Sequence, residues 1–497
     1  MRDEVALQAT TNPERTALVD AETGRSWTFA GLDDAVAQTA GRLAGLGVEP
    51  GDRVAVLAET RPAFAELVFA AARLGVVLVP LNARLTRSEL AEQVNTVDPV
   101  LVVTEAESVE DARELGPPVA SVDDVDSDGV RELSAVDPAE FEGVDSAWSD
   151  TRLLLFTSGT TGAPKAVRLT YGNLGASAVA SAFRLGMLPD DSWLCPLSMY
   201  HTGGVSVVLR CALYGTTAVL VRTPGFDPDS VRDALAEYDC TGVSLVPTML
   251  DRLLDTDAGL PDSLRFALVG GAPTPPELAE RALDAGVPVC PTYGATETAS
   301  QVATLRPEQV DARPGSVGRP LLGTEVTVLD DDGDPLPAGE TGDLAVSGPT
   351  VTPGYVSADE TAARFCEHGL RTGDRGRVDG DGFLSVGGRA SDEIVTGGEN
   401  VHPGEVADVL RDHPGVRDVA VVGVPDDDWG ERVGALVVPI EDASTADVSV
   451  DALRAFCEDR LAGYKHPRTV AVVDALPRTP SGTVDREAAI EALGDDT

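Results

Sequence analysis

The sequence predicts an α/β fold: a large N-terminal domain of two α/β sheet subdomains plus a small β-barrel, then a small α+β C-terminal domain. Three observations predict it. Short apolar, β-branched runs alternate with helix-length segments through residues 27–103 and again through 217–290, the pattern of parallel sheets covered by helices. Residues 315–348 switch to Gly, Pro, Val and Asp, with the turn run Asp330-Asp331-Asp332-Gly333-Asp334, which suits short antiparallel strands. At 497 residues the chain is also too long for one compact core.

The elements follow in order. Residues 32–43, 63–74 and 88–94 read as helices, and 53–57, 76–80 and 100–103 as the strands between them. Residues 105–150 are acidic and weakly periodic, and read as a solvated, loosely built region. Residues 153–156 are a buried strand. Further strands are predicted at 217–221, 242–246, 266–269 and 287–290, with helices between them, one over 205–213. In the C-terminal part, 403–411 and 450–461 read as helices, and 416–422 and 432–438 as strands. The boundary falls in Arg389-Ala390-Ser391-Asp392, giving domains 1–390 and 391–497.

Composition narrows the function. The net charge is −44, and only Lys165 and Lys465 among the basic residues are lysines. Such acidity argues against nucleic acid or an anionic membrane as partner. Acidity with arginine in place of lysine looks like the proteome of a salt-accumulating halophile, and a haloarchaeal source is expected. Molar salt shortens the Debye length to about 3 Å, which screens such a surface; at low salt it repels itself. No apolar run reaches the length of a membrane span. Met1-Arg2-Asp3-Glu4 has none of the features of a signal peptide, so a cytoplasmic enzyme is expected. Cys195, Cys211, Cys240, Cys290, Cys366 and Cys457 form no C-x-x-C pair and read as reduced thiols, with no structural zinc. Oligomeric state is not legible, and a homodimer stays open.

The chemistry is announced by Thr157-Ser158-Gly159-Thr160-Thr161-Gly162-Ala163-Pro164-Lys165, directly after the strand at 153–156. Glycines let several N–H groups point inward, hydroxyls add donors, and a lysine adds a charge for a polyphosphate. The ATPase loop G-x-x-x-x-G-K-[ST] is excluded, because Pro164 precedes Lys165 and Ala166 follows it. The loop instead resembles that of adenylate-forming enzymes, which include acyl-CoA synthetases, peptide-synthetase adenylation domains and firefly luciferase.

Further segments match that family in its own order. Gly270-Gly271-Ala272-Pro273 resembles the backbone that lines adenine. Pro291-Thr292-Tyr293-Gly294-Ala295-Thr296-Glu297-Thr298 resembles the Tyr-Gly-x-Thr-Glu motif. The resemblance makes Tyr293 the adenine stacker, Thr296 a phosphate ligand and Glu297 the Mg²⁺ ligand, roles that suit an aromatic face, a hydroxyl and a carboxylate. Arg371-Thr372-Gly373-Asp374 matches the segment whose aspartate holds the ribose hydroxyls. In Gly388-Arg389-Ala390-Ser391-Asp392, the resemblance puts Arg389 on the nucleotide and Ser391 at the hinge about which a mobile C-terminal domain turns. Gly397 and Gly398 would line the pantetheine tunnel. The implied cofactor and co-substrates are Mg²⁺, ATP and coenzyme A, and the implied reaction runs in two steps. A carboxylic acid is adenylated with loss of pyrophosphate, and a thiol then takes the acyl group. The chain ends soon after Arg486, so free coenzyme A is the expected acceptor.

One departure stands out. The family carries Ser-Gly-Lys near its C-terminus, with that lysine bridging substrate carboxylate and α-phosphate; here the segment is Ser481-Gly482-Thr483. Threonine cannot supply the charge. Lys465 or Arg486 as substitute, slow adenylation, and a non-catalytic adenylate binder are the competing readings, with compensation favoured and Lys465 placed among the catalytic candidates.

For the acid, three patterns look like the o-succinylbenzoate–CoA ligase branch. They are the 196–206 segment leading to Arg210, the Thr298-Ala299-Ser300-Gln301 continuation, and Ser391 at the hinge. A dianionic aromatic acid needs donors at the far end of its pocket. Ser300, Gln301 and Arg210 could supply them, with His201 as a wall. Set against this, Arg210 could sit on a helix surface and His201 could be a core histidine. A CoA ligase for another aryl or medium-chain acid is the alternative within the class, and a luciferase-type oxygenase or a nucleotide-binding regulator the alternative outside it.

Overall fold

The structure, a computed structural model, describes residues 3–157, 164–222, 225–256, 259–389, 394–401, 403–440, 448–477 and 484–494. It divides into two compact units. One comprises Met1–Ala83, Val94–Phe156 and Ala166–Gly387; the other comprises Arg84–Gln93, Thr157–Lys165 and Gly388–Thr497.

A seven-stranded sheet runs in the order Val130–Glu132, Val119–Ser121, Leu101–Thr104, Arg53–Leu57, Val77–Leu81, Thr151–Thr157, Lys165–Thr170. Its pairings are parallel from the first of these strands to Thr151–Thr157. Helices Phe29–Gly45, Pro62–Leu74 and Arg87–Val97 stand at the predicted places, within a few residues at their ends. Residues 105–150 are a correction. They supply the two adjacent strands at one end of this sheet, and Val119, Ala120 and Ser121 are all buried. Three-residue strands are too short to show a period, so their order comes from pairing, Val119–Ser121 with Leu101–Thr104 and Val130–Glu132 with Val119–Ser121, and not from local pattern.

The second sheet has nine strands: Arg319–Pro320, Ala303–Thr304, Val289–Tyr293, Phe266–Val269, Gly242–Leu245, Ser192–Cys195, Thr217–Leu220, Thr16–Asp20, Ser26–Thr28. The run from Val289–Tyr293 to Thr16–Asp20 is parallel. Its apolar strands read as continuous runs because both faces are covered. Trp193 meets Phe266 edge-on at 4.8 Å in the core, a geometry that adds about 1 kcal/mol to burial. Loops at the carboxyl ends of such strands are where α/β proteins bind ligands, and the motif residues 270–273 and 294–301 follow two of them.

The Gly- and Asp-rich part forms a five-stranded sheet in which Glu325–Leu329, Gly342–Ser347, Gly369–Val378 and Phe365–Cys366 pair antiparallel in that order, and Leu384–Arg389 also pairs with Gly369–Val378. Among the described residues these pairings form an open path where a small barrel was expected, and they extend well past residue 348. In the second unit, Val416–Asp426 and Gly430–Pro439 pair along their length. Alternate residues face opposite sides. Val419, Val421, Val433 and Ala435 pack with helices Pro403–Arg411 and Val450–Cys457. Ala420, Val422, Leu436 and Val438 pack with Ala489 and Leu493 of helix Arg486–Gly494, a helix the sequence reading missed.

Candidate active site

The central feature is the turn after strand Val289–Tyr293. Gly294 ends the strand, and a short 3₁₀ turn covers Thr296–Thr298. The Thr298 hydroxyl donates to the Ala295 carbonyl and accepts from its N–H, both at 3.0 Å. Ala299 and Ser300 then take φ of 52° and 102°, conformations that cost non-glycine residues on the order of 1–3 kcal/mol each. This fold-back brings the Ser300 carbonyl oxygen to 1.5 Å from where a β-carbon on Gly294 would sit. Only glycine fits there, a packing reason for the Tyr-Gly pair in the motif.

The turn is tied down from several elements of the same unit. The Thr202 hydroxyl, at the start of helix Thr202–Tyr214, donates to that of Thr296 at 3.1 Å. Thr352 N–H donates to the Glu297 carbonyl at 2.7 Å, and the Tyr355 phenol to Glu297 Oε1 at 2.9 Å. Ser177 donates to the Ala299 carbonyl at 2.6 Å. The Tyr293 phenol donates to Asp374 Oδ2 at 2.5 Å, so two candidate nucleotide residues, 81 positions apart, meet directly. Asp374 is itself buried, its N–H held by the Thr372 hydroxyl at 3.0 Å. Gly271, with φ of 84°, lies in the loop after strand Phe266–Val269 with Ala272 and Pro273.

Glu297 is 8 % exposed, and its second carboxylate oxygen has no hydrogen-bond partner among the described residues. Among those residues no three His, Cys, Asp or Glu converge on a metal position. One buried carboxylate with an uncommitted oxygen fits Mg²⁺, which takes few protein ligands and shares phosphate oxygens.

Arg210 is a core residue and not a surface one: it is 2 % exposed on helix Thr202–Tyr214. Its guanidinium donates to Ser177 Oγ at 3.2 Å and lies 5.7 Å from the Trp193 ring centroid. No carboxylate pairs with it among the described residues, and burial pulls its pKa below the ordinary value. Ser177 links it to Ala299, hence to the Ser300-Gln301 segment. Gln301 is buried, with Nε2 donating to Thr304 Oγ1 at 2.8 Å and Oε1 without a hydrogen-bond partner among the described residues. His201 occupies the position just before helix Thr202–Tyr214, its ring edge-on to Tyr200 at 4.8 Å.

In the second unit, Lys165 begins strand Lys165–Thr170, 9 % exposed, with no ion pair among the described residues. Ser158, Gly159, Thr160, Thr161 and Gly162 lie outside the described residues, as do Ser391 and Thr483; nor is the side chain of Arg389 described. Gly397 and Gly398, with φ of 58° and 82°, form the two-residue turn between the paired strands Ile394–Thr396 and Glu399–Val401. Two positive φ values are what such a hairpin turn demands. Lys465 is no free cation: its ammonium sits 2.5 Å from Glu89 Oε1 and 2.8 Å from Glu405 Oε1. Burial pulls its pKa down, but the two carboxylates pull it up and prevail.

Sequence reasoning missed Tyr355 and Ser177, which act through contacts with residues far along the chain and carry no local signal; Thr202 lies in the 196–206 segment but was given no role of its own.

The site therefore combines a buried carboxylate suited to a metal, a tyrosine–aspartate pair and glycine-shaped turns at the carboxyl ends of parallel strands, the equipment of a nucleotide-using enzyme. Comparison with known proteins gives the class: residues 5–356 match the AMP-binding enzyme family and residues 405–483 the AMP-binding enzyme C-terminal domain. The chain belongs to this family. It is 37 % identical over 472 residues to a 2-succinylbenzoate–CoA ligase of Bacillus cereus, covering 94 % of each chain, and 37 % identical to that of Bacillus pumilus. Among solved structures it resembles a double mutant of the Bacillus subtilis o-succinylbenzoate CoA synthetase bound with a product analogue (TM-score 0.91, 35 % identity, covering 99 % and 98 % of the two chains). The same synthetase with its acyl-adenylate intermediate gives 0.75, at 35 % identity and covering 98 % and 97 %. An amide bond synthetase from Marinactinospora thermotolerans gives 0.89 at 32 % identity, covering 98 % and 99 %.

Proposed function

We propose that this chain is an AMP-forming acid–CoA ligase that converts o-succinylbenzoate, ATP and coenzyme A to o-succinylbenzoyl-CoA, AMP and diphosphate. The names of its relatives support the class and the acid. The observation on the chain itself that carries the acid is Arg210. A fully buried guanidinium without a carboxylate partner among the described residues is costly unless a ligand brings the anion. A substrate with a second carboxylate does so; a fatty acid does not.

In the first step the reacting carboxylate attacks the α-phosphorus of ATP and pyrophosphate leaves. Asp374 accepts the ribose hydroxyls and Tyr293 offers its ring to adenine. Gly271, Ala272 and Pro273 line the base, Thr296 donates to the α-phosphate, and Arg389 contacts the nucleotide. Lys165 and the hydroxyls of 157–161 neutralise charge that builds on the phosphates. Glu297 would hold Mg²⁺, which when bound spreads the charge of the polyphosphate. In the second step the thiol of coenzyme A displaces AMP from the adenylate. Gly397 and Gly398 line its approach, and the domains 1–390 and 391–497 turn about Ser391. Ser300 and Gln301 contact the distal part of the acid beside His201. Thr483 leaves no lysine where the family has one. Lys465 replaces it only by leaving Glu89 and Glu405, so the first step is expected to be slow.

The test is coenzyme A-dependent AMP release with o-succinylbenzoate, against benzoate and octanoate, in molar KCl. Selective turnover of o-succinylbenzoate is expected. Turnover of a control acid alone would overturn the substrate assignment and keep the class. AMP release without thioester, or with light or oxygen uptake, would overturn the ligase reading.

A further inference from the structure

One short segment holds Glu297 in place, and the reaction as described does not use it. Thr352 N–H binds the Glu297 carbonyl and the Tyr355 phenol binds its carboxylate, so both ends of the residue are fixed by the stretch 352–355. That stretch is clamped to the strand that begins at Lys165. Arg168 N–H donates to the Gly354 carbonyl at 3.0 Å, Val356 N–H to the Ala166 carbonyl at 2.9 Å, and Val167 bridges Tyr355. Thr361 fixes Tyr355 from its own side, its hydroxyl accepting from Tyr355 N–H at 2.9 Å.

Tyr355 is 2 % exposed. Burial raises the pKa of its phenol. The Arg364 guanidinium donates to the Thr372 carbonyl at 3.0 Å, and lies beside Gly373. Tyr355 thus contacts Glu297, while Arg364 contacts Thr372, two residues before Asp374.

We propose that Tyr355 is a positioning residue: its phenol fixes Oε1 of Glu297 so that Oε2 is presented to the divalent cation, with Thr361 and the strand at Val167 holding Tyr355 in turn. The physical reason is that a carboxylate held at one oxygen cannot rotate away from its ligand. Partners that orient a metal-binding carboxylate typically change metal affinity by about 10- to 100-fold when removed. The inference rests on the reading of Glu297 as the metal ligand.

Mn²⁺ binding in the presence of α,β-methylene-ATP, followed by the loss of the free-ion EPR signal, separates the two claims. Tyr355→Phe is expected to weaken Mn²⁺ binding about tenfold, to leave metal-free affinity for the analogue unchanged, and to raise the Mg²⁺ needed for half-maximal pyrophosphate exchange without moving the KM for the acid. Glu297→Gln should weaken Mn²⁺ more, and the double variant should lose no more than Glu297→Gln alone. Wild-type Mn²⁺ binding in Tyr355→Phe, with Glu297→Gln impaired, would overturn the proposal and leave the function standing. Unchanged binding in Glu297→Gln would overturn the metal assignment itself. If Tyr355→Phe does not fold, Thr361→Val, which removes the hydroxyl that accepts from Tyr355 N–H, decides in the same way: a smaller loss in the same direction is required, and wild-type binding refutes it.

Discussion

Replacing Arg210 by methionine probes substrate recognition and protein stability with opposite expected signs. In the free protein the guanidinium is fully buried, donates to Ser177 and has no counter-charge among the described residues. Methionine fills most of its volume. The variant loses one charged hydrogen bond, of about 1.5–3 kcal/mol, and escapes a desolvation cost of several kcal/mol. The unfolding midpoint of the ligand-free protein should therefore stay level or rise. Binding of the diacid should suffer. Two charges about 4 Å apart at an effective dielectric constant of 20 attract by about 4 kcal/mol. Incomplete desolvation recovery leaves about 2–4 kcal/mol, or roughly 30- to 700-fold in the KM for o-succinylbenzoate. The assay is steady-state AMP release with o-succinylbenzoate and with benzoate, beside thermal unfolding with and without the diacid. The KM for benzoate should not move, and the diacid should no longer raise the midpoint. A lower midpoint in the free variant with an unchanged KM for the diacid would refute this, and make Arg210 a structural strut for the Ala299 turn through Ser177.

Other tests bear on single contacts. Gly294→Ala places a β-carbon 1.5 Å from the Ser300 oxygen; the turn must open, and adenylate formation should drop by at least about a hundredfold while circular dichroism stays native. Lys465→Met leaves Glu89 and Glu405 facing each other without their cation. It should destabilise by about 3–5 kcal/mol in urea unfolding. In the parent protein the raised pKa of Lys465 means its contribution is complete below the unfolded value of 10.5 and is lost as pH rises through the folded value. Burial pushes the thiols of Cys195, Cys211, Cys240 and Cys290 up to about 12. At pH 8 iodoacetamide should modify the native protein chiefly at the partly exposed Cys366, read by peptide mass spectrometry.

The short strands and helices were legible where pattern is local. Strands Arg53–Leu57 and Phe266–Val269 and helix Pro403–Arg411 coincide with their sequence reading, because each is a compact apolar or amphipathic run bounded by turn residues. The strands at residues 119–121 and 130–132 were not legible. A strand of three residues takes its order from its neighbour. Arg210 shows the same limit in a side chain: helical spacing left its exposure undecided, and packing against Trp193 and Ser177 decided it.

By itself the sequence determined the alternating α/β architecture and the order of the nucleotide motifs, since contiguous residues make each turn and each strand. It also determined that a threonine, Thr483, follows Ser481-Gly482. Only the tertiary structure decided that Tyr293 meets Asp374, that Tyr355 holds Glu297, and that Lys465 is occupied by Glu89, 376 residues away. The reason is physical: hydrogen bonds and ion pairs between distant elements depend on where packed sheets and helices bring side chains, and no spacing along the chain records that distance.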